Sequence, residues 1–307
     1  MTGRALRLLR IGLNVADLPR AQAFYRDALG FVEIAADELD PSWARLLAGD
    51  GVRVRSARLR LGAEELELVA CDAPGASYPR DSTAADLWFQ HFAIVTNDIA
   101  AVCRRLEQGG ATAITQDGAQ RLPPGARAVV AYKFRDPDGH PLELIHFPPG
   151  VGDANWQHAS PNLTLGIDHS ALSIVDAERS LAFYDLLGLE LQSRQINSGP
   201  EQDRLDGLSR VVVDVMALAP AAAGTPHVEL LCYGTPRGRP SHLGREIRDI
   251  ADSRLIFQVE DLADLIRALA SAGAVASAIL ELPSRSHAAA VRDPDGHAIL
   301  MLECPFA

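Results

Sequence analysis

The sequence is short of the features that mark several large classes of protein. Basic residues are outnumbered: 29 Lys and Arg stand against 40 Asp and Glu, a formal net charge of -11. A nucleic-acid partner calls for a basic face, so that class is disfavoured. No apolar run reaches the roughly 18 residues that a membrane-spanning helix needs, and no membrane partner is expected. The opening Met1-Thr2-Gly3-Arg4-Ala5-Leu6 lacks the apolar core of a secretory signal. Cysteine is scarce too. Cys71, Cys103, Cys232 and Cys304 are scattered and form no C-x-x-C pair. They read as reduced, mostly buried thiols of a cytoplasmic protein, without the spacing of a thiolate metal site. What is present is a chain of 307 residues, 48% hydrophobic, ample for two domains.

The chain repeats one pattern four times. Its clearest copy begins at Gly166-Ile167-Asp168-His169-Ser170-Ala171-Leu172-Ser173-Ile174 and reaches Asp176. Alternation puts Ile167, His169, Ala171 and Ser173 on one strand face and Asp168, Ser170 and Leu172 on the other. Asp176 suits the N-cap of a following helix. Asp17, Asp98 and Asp261 take the same place in the other copies. Helices then end at Gly30, Gly109-Gly110, Gly188 and near Ala272, and three strands follow each. Residues 39–51 read as loop, and Asn197-Ser198-Gly199-Pro200-Glu201-Gln202-Asp203 as a polar insertion. Asp-Gly turns occur twice, in Asp136-Pro137-Asp138-Gly139-His140 and Asp293-Pro294-Asp295-Gly296-His297. Their histidines read as turn residues. The modules are 6–71, 87–147, 165–233 and 252–305, giving an N-terminal half (1–147), a linker (148–164) and a C-terminal half (165–307).

Alignment on the capping aspartate exposes the informative positions. Seven residues before it stand Arg10, His91, His169 and Arg254. The matching positions of the closing strands hold Glu67, Glu143, Glu229 and Leu300. Only the second and third copies keep both a His and a Glu. A strand glutamate between leucines points away from them, and if buried it needs a metal, an arginine or a hydrogen-bond network. Two imidazoles and two carboxylates converging on a cavity suit Zn²⁺, Ni²⁺, Fe²⁺, Co²⁺ or Mn²⁺. His146 falls at an odd offset from Glu143, on the opposite face. Tyr25 and Tyr184 lie on helices and read as core.

These motifs resemble the vicinal oxygen chelate superfamily, which includes glyoxalase I, bleomycin-resistance-type proteins and extradiol dioxygenases. The resemblance rests on Ile167-Asp168-His169 through Asp176, on Ala-Phe-Tyr before Gly30 and Gly188, and on the Asp136 to His140 turn followed by Leu142-Glu143-Leu144. It implies an α+β fold of four βαβββ modules, paired into two half-open eight-stranded barrels. It also implies a divalent metal held by His91, Glu143, His169 and Glu229, with Glu143 or Glu229 as the catalytic base. If modules two and three share a barrel, that set is complete. Modules one and four then hold Arg10, Glu67, Arg254 and Leu300, and Glu67 is expected to contact Arg10 or Arg254. If neighbours pair, Glu67, His91 and Glu143 form one set, and His169 and Glu229 stand apart. The two-three pairing is favoured because it explains which copies kept their ligands.

The function implied is a glyoxalase I-like, metal-dependent lyase or isomerase moving a proton next to a carbonyl of a small-molecule substrate. An extradiol ring-cleaving dioxygenase is the alternative enzyme, although module four carries Arg254 and Leu300 where that group has His and Glu. A non-catalytic small-molecule binding or resistance protein is the third reading.

Overall fold

The computed structural model describes residues 3–220, 226–240, 246–283 and 285–304. Two mixed sheets result, with helices packed on them. One has eight strands, running from Leu280–Glu281 through His287–Arg292, Ala298–Glu303 and Arg254–Glu260 to Arg4–Asn14, Glu64–Cys71, Val54–Leu61 and Val32–Glu38. The other has nine, centred on Thr164–Ile174 beside Gln90–Thr96. Modules one and four therefore build one sheet, and modules two and three the other. Each sheet takes one module from each half of the chain.

Opening strands meet at the centre of each sheet. Thr164–Ile174 runs antiparallel to Gln90–Thr96, and Arg4–Asn14 antiparallel to Arg254–Glu260. Every opening strand also pairs in parallel with the closing strand of its own module. A parallel neighbour needs a crossover, and a helix supplies it: α1 (Leu18–Asp27) in module one and, after α2 (Pro41–Ala48), α3 (Ile99–Gln108) in module two. Module three uses α4 (Ala177–Leu186) and carries the short α5 (Pro200–Asp206), and module four uses α6 (Leu262–Ser271). The main apolar core lies between the sheets and these crossover helices, with Tyr25, Phe92, Phe134, Tyr184 and Phe257 fully buried.

Three caps form as the aspartates suggest: Asp17, Asp98 and Asp176 accept from the amides of Arg20, Ala101 and Arg179. The fourth differs. Asp261 adopts a left-handed conformation and makes no side-chain cap, and Glu303 instead accepts from the Leu262 amide at 3.0 Å. Residues 39–51 are not a plain loop. Asp40 caps α2 through the Ser42 amide, Pro41 fills its first turn, and Trp43, Leu46 and Leu47 are buried. The polar insertion is likewise partly helix, as α5. The apolar spacing in α2 is a helical signal that the flanking Asp and Gly residues obscured. The four cysteines are free but half-buried, not core residues.

The Asp-Gly turns tie one module to another. Asp136 accepts from the Tyr25 hydroxyl at 3.0 Å and binds His140 Nδ1 at 2.9 Å. Asp293 accepts from the Tyr184 hydroxyl at 3.1 Å. Both nitrogens of His140 face acceptors, the second being the Ile250 carbonyl at 3.1 Å, so the ring donates from both only as the cation. Burial alone would lower its pKa, but the Asp136 carboxylate outweighs that and holds it above the ordinary imidazole value. A raised folded-state pKa stabilises fully below the unfolded value of about 6.5, and the gain is lost as pH rises through the folded value. The stability difference between the native chain and His140→Gln should therefore be largest near pH 6 and shrink as pH rises. Urea midpoints measured across that range check it, and a difference independent of pH would refute it.

Candidate metal centre

The register of the central strands assembles the site. Across the nine-stranded sheet, Ala93 pairs with His169 on one side and with Glu143 on the other. One step along, Ala171 pairs with His91 and with Glu229. Two rows result, each placing a His and a Glu on either side of an alanine. Both alanines are fully buried, and their small side chains leave open space between the larger ones.

His91, Glu143, His169 and Glu229 thus come together at one cavity of about 370 Å³. His91 Nε2 lies 2.9 Å from Glu143 Oε2. His169 Nε2 lies 3.4 Å from Glu229 Oε2 and 3.9 Å from Glu143 Oε2. Ligand atoms of His91, Glu143 and His169 all fall within 4.8 Å of one another. Two buried nitrogens there, His169 Nε2 and His91 Nδ1, have no hydrogen-bond partner. A lone pair facing two carboxylates is costly to bury unless a proton or a cation sits between them. The donor set, two imidazoles and two carboxylates, suits a borderline divalent metal.

The side chains around this group tune it. Burial alone would lower the His169 pKa, but Glu229 and Asp168 outweigh it and push it up to about 9. Burial likewise opposes the Glu229 anion, yet His169 and His227 hold it down, to about 2. Glu143 is kept below its usual range by the Lys133 ammonium and by His91, against the effect of burial. His91 moves the other way, lowered chiefly by burial.

Several of these side chains were not singled out in the sequence. Asp168 was placed on the face opposite His169. In the structure its carboxylate binds His169 Nδ1 at 2.9 Å. A bulge between Ile167 and His169 breaks the alternation. It turns Ile167 toward the helix-side core, with Leu172, and leaves Asp168 beside the histidine. The segment read as a linker contributes as well, since Trp156 Nε1 donates to Asp168 at 2.7 Å. His227 sits two residues before Glu229, so alternation puts both on one face, and its Nε2 lies 3.7 Å from Glu229 Oε1. Lys133 pairs across the sheet with Glu143 and is buried, its ammonium 2.7 Å from Asp206 of α5. Tyr233 and Gln202 also donate to Asp206, at 3.0 and 2.8 Å. His146 faces away and contacts the Thr96 carbonyl at 2.9 Å. His297 contacts the Ser173 carbonyl at 2.9 Å, and neither it nor His140 enters the site.

The corresponding place in the eight-stranded sheet is built differently. Gly12 pairs with both Arg254 and Glu67, and Ile256 with both Arg10 and Leu300. Arg10 Nε lies 3.7 Å from Glu67 Oε2, an ion pair in which neither atom has a hydrogen-bond partner. Helix α2 fills much of the concave face, packing Trp43, Leu46 and Leu47 with Val69, Ile256 and Leu300.

A family model described as the Glyoxalase/Bleomycin resistance protein/Dioxygenase superfamily matches residues 7–144 and 166–301. A lactoylglutathione lyase of Salmonella typhimurium is 29% identical over 146 residues, 46% of this chain and 92% of that protein. One from Haemophilus influenzae is 28% identical over 140 residues, with the same shares covered. Among solved structures, glyoxalase I from Zea mays superposes with a TM-score of 0.63 at 18% identity, covering 98% of this chain and 92% of that one. A putative dioxygenase from Bacillus subtilis gives 0.60 at 13%, covering 99% and 87%. At such identities the structural likeness concerns the fold.

The Lys133–Asp206 pair makes a direct test of how the cavity is held. Removing one member leaves the other charge buried, at a cost of about 3 to 5 kcal/mol, whereas replacing both with apolar groups is far less costly. Lys133→Met should lower the urea midpoint strongly, and adding Asp206→Asn, which removes the charge but keeps an oxygen acceptor for Tyr233 and Gln202, should restore most of the loss. A double variant no more stable than the single one would show that the pair is not what holds α5 in place.

Proposed function

Because the chain belongs to the Glyoxalase/Bleomycin resistance protein/Dioxygenase superfamily, we propose that its nine-stranded sheet carries a glyoxalase I-like, metal-dependent lyase or isomerase site. The reaction is proton transfer at the carbon next to a carbonyl of a small substrate. One observation carries the reading: His91, Glu143, His169 and Glu229 surround one cavity, with His169 Nε2 buried and unpartnered among the carboxylates. These four side chains would hold the metal, one of Zn, Ni, Fe, Co or Mn. A bound divalent cation supplies Lewis acidity, polarising a carbonyl and stabilising negative charge on its oxygen.

The chain's own residues do the rest. Asp168 accepts the Nδ1 proton of His169, which leaves Nε2 as the ligand atom, and Trp156 holds Asp168 in that position. Lys133 keeps Glu143 anionic. Glu143 is buried and tied to His91, while Glu229 has a side chain 21% exposed and borders the open cavity. Glu229 is thus the freer carboxylate and the better placed to accept a proton from substrate; Glu143 is the alternative base. The lactoylglutathione lyase relatives make the hemithioacetal of methylglyoxal and glutathione the first substrate to try. The same cavity could accept another carbonyl compound or an acyl thioester.

Among the described residues no helix is long and apolar enough to cross a membrane. The free cysteines support a reducing, cytoplasmic setting.

The test begins with metal. The chain should take up one equivalent of Ni²⁺, Co²⁺ or Zn²⁺, because Arg10, Arg254 and Leu300 exclude a matching site in the other sheet. Asp168→Ala should weaken that affinity about 10- to 100-fold, the scale for losing a carboxylate behind a ligating histidine. Glu229→Gln should retain metal yet lose at least about 100-fold in turnover. Absence of metal binding would favour a metal-free binding or resistance protein. Oxygen uptake with a catechol and no turnover of carbonyl adducts would favour a dioxygenase. Full activity in both Glu143→Gln and Glu229→Gln would overturn the base assignment.

A further inference from the structure

The cavity at the candidate metal centre is not polar throughout. Cross-strand register carries the row of Glu229 outward through Ala217 to Ser193, on the edge strand Leu189–Ser198. In the next row Leu231 leads through Val215 to Gln195, and one row further Val213 leads to Asn197. All of these side chains line the cavity. The space beside the metal ligands is thus aliphatic, and its outer lip is a hydroxyl and two amides. Arg194, which alternates with the lip residues, is engaged instead by Glu178 and Asp214 on the outside.

Charge in the lining points the same way. Among the described residues its guanidinium and ammonium groups are Arg127, at the exposed rim, and Lys133, which Asp206 already binds at 2.7 Å. Facing them are Glu143, Glu229, Asp168 and Asp153. Even a bound divalent metal leaves these groups, with Asp206, without surplus positive charge, and residues 221–225, outside the described set, are uncharged in sequence. A carboxylate drawn into this space gives up its hydration beside carboxylates already there, whereas an alkyl chain gains by leaving water. On the footing of the isomerase site described above, we propose that the cavity takes an uncharged carbonyl compound with a short aliphatic body. The carbonyl end meets the ligand group, and the body lies over Ala217 against Val215 and Leu231. A hydroxyl or amide at the far end meets Ser193, Gln195 and Asn197. A glutathione conjugate fits less well, because it brings two carboxylates to a lining in which Arg127 alone is left to meet one.

The probes are hexan-2-one and 5-oxohexanoate, which share a methyl ketone and a chain length and differ in one carboxylate. Titrated calorimetrically into the full chain supplemented with Zn²⁺, the neutral ketone should saturate and bind at least about tenfold more tightly than the anion. Ala217→Phe, which fills the space beside Glu229, should weaken hexan-2-one at least about tenfold. Gln195→Lys, on the edge strand, should shift the preference at least about fivefold toward 5-oxohexanoate, and it decides the matter if Ala217→Phe does not fold. In turnover, the methylglyoxal adduct of butanethiol should exceed that of glutathione at least about tenfold in kcat/KM. The proposal fails if hexan-2-one does not saturate, if the anion binds equally well, if a folded Ala217→Phe or Gln195→Lys changes nothing, or if the glutathione adduct is preferred. Turnover of neither adduct, with hexan-2-one still bound selectively, overturns the isomerase reading and leaves the preference for an uncharged ligand standing.

Discussion

The antiparallel contact between opening strands of different modules is what the candidate metal centre depends on. Ala171 faces His91 and Ala93 faces His169, and the parallel partners of those alanines are Glu229 and Glu143. Side chains alternate along a strand, so a slip of one residue would send every one of these groups to the opposite face. The helix-side core opposes that slip, because Phe92, Ile94, Leu172 and Ile174 would leave it at the same time. Burying the apolar face and assembling the polar one are therefore a single choice of register.

The same register produces a different result in the other sheet. Where the nine-stranded sheet has Ala171 between His91 and Glu229, the eight-stranded one has Gly12 between Arg254 and Glu67. Where the first has Ala93, the second has Ile256. Glycine makes room for a longer cation, and isoleucine occupies the volume between the remaining pair. The bulge is shared: both opening strands shift register just before the key residue, between Leu8 and Arg10 and between Ile167 and His169. Leu9 stands where Asp168 does in the other copy, so the carboxylate that would orient a histidine is replaced by an apolar side chain packed toward α2. The histidine position and the position before it thus differ together between the two sheets.

Much of this was readable in the sequence, because repetition multiplies weak signals. A strand histidine at one position says little; the same offset from a capping aspartate in four copies defines a column, and the column separates His91 and His169 from Arg10 and Arg254. The module order, the crossover helices and the α+β class follow from the same comparison. What escaped did so for local reasons. Strict alternation assigns Asp168 to the wrong face because a bulge is a two-residue event without a residue signature of its own. Trp156 lies in a stretch rich in Pro and Gly, where one aromatic residue gives no direction. Asp261 has the residue type of a cap but the wrong backbone, and its task passes to Glu303, 42 residues later. Helix α2 was hidden by its flanking Asp and Gly residues and by its length, since eight residues hold little more than two turns.

That short helix is a further element in which the two concave faces differ. Helices α2 and α5 occupy equivalent places, each following the first strand after the crossover helix. In module one the element is Pro41-Ser42-Trp43-Ala44-Arg45-Leu46-Leu47-Ala48, and its apolar face lies against Val69, Ile256 and Leu300. In module three it is Pro200-Glu201-Gln202-Asp203-Arg204-Leu205-Asp206, and Asp206 reaches Lys133 of module two. An apolar helix over a concave sheet favours apolar neighbours where it packs, here Val69, Ile256 and Leu300. A helix ending in a buried carboxylate requires a cation on the facing module, and that cation, Lys133, in turn holds Glu143 anionic inside an open polar cavity. The two sheets thus differ in one peripheral turn, which lays an apolar helix face against one concave side and a buried Lys133–Asp206 ion pair against the other.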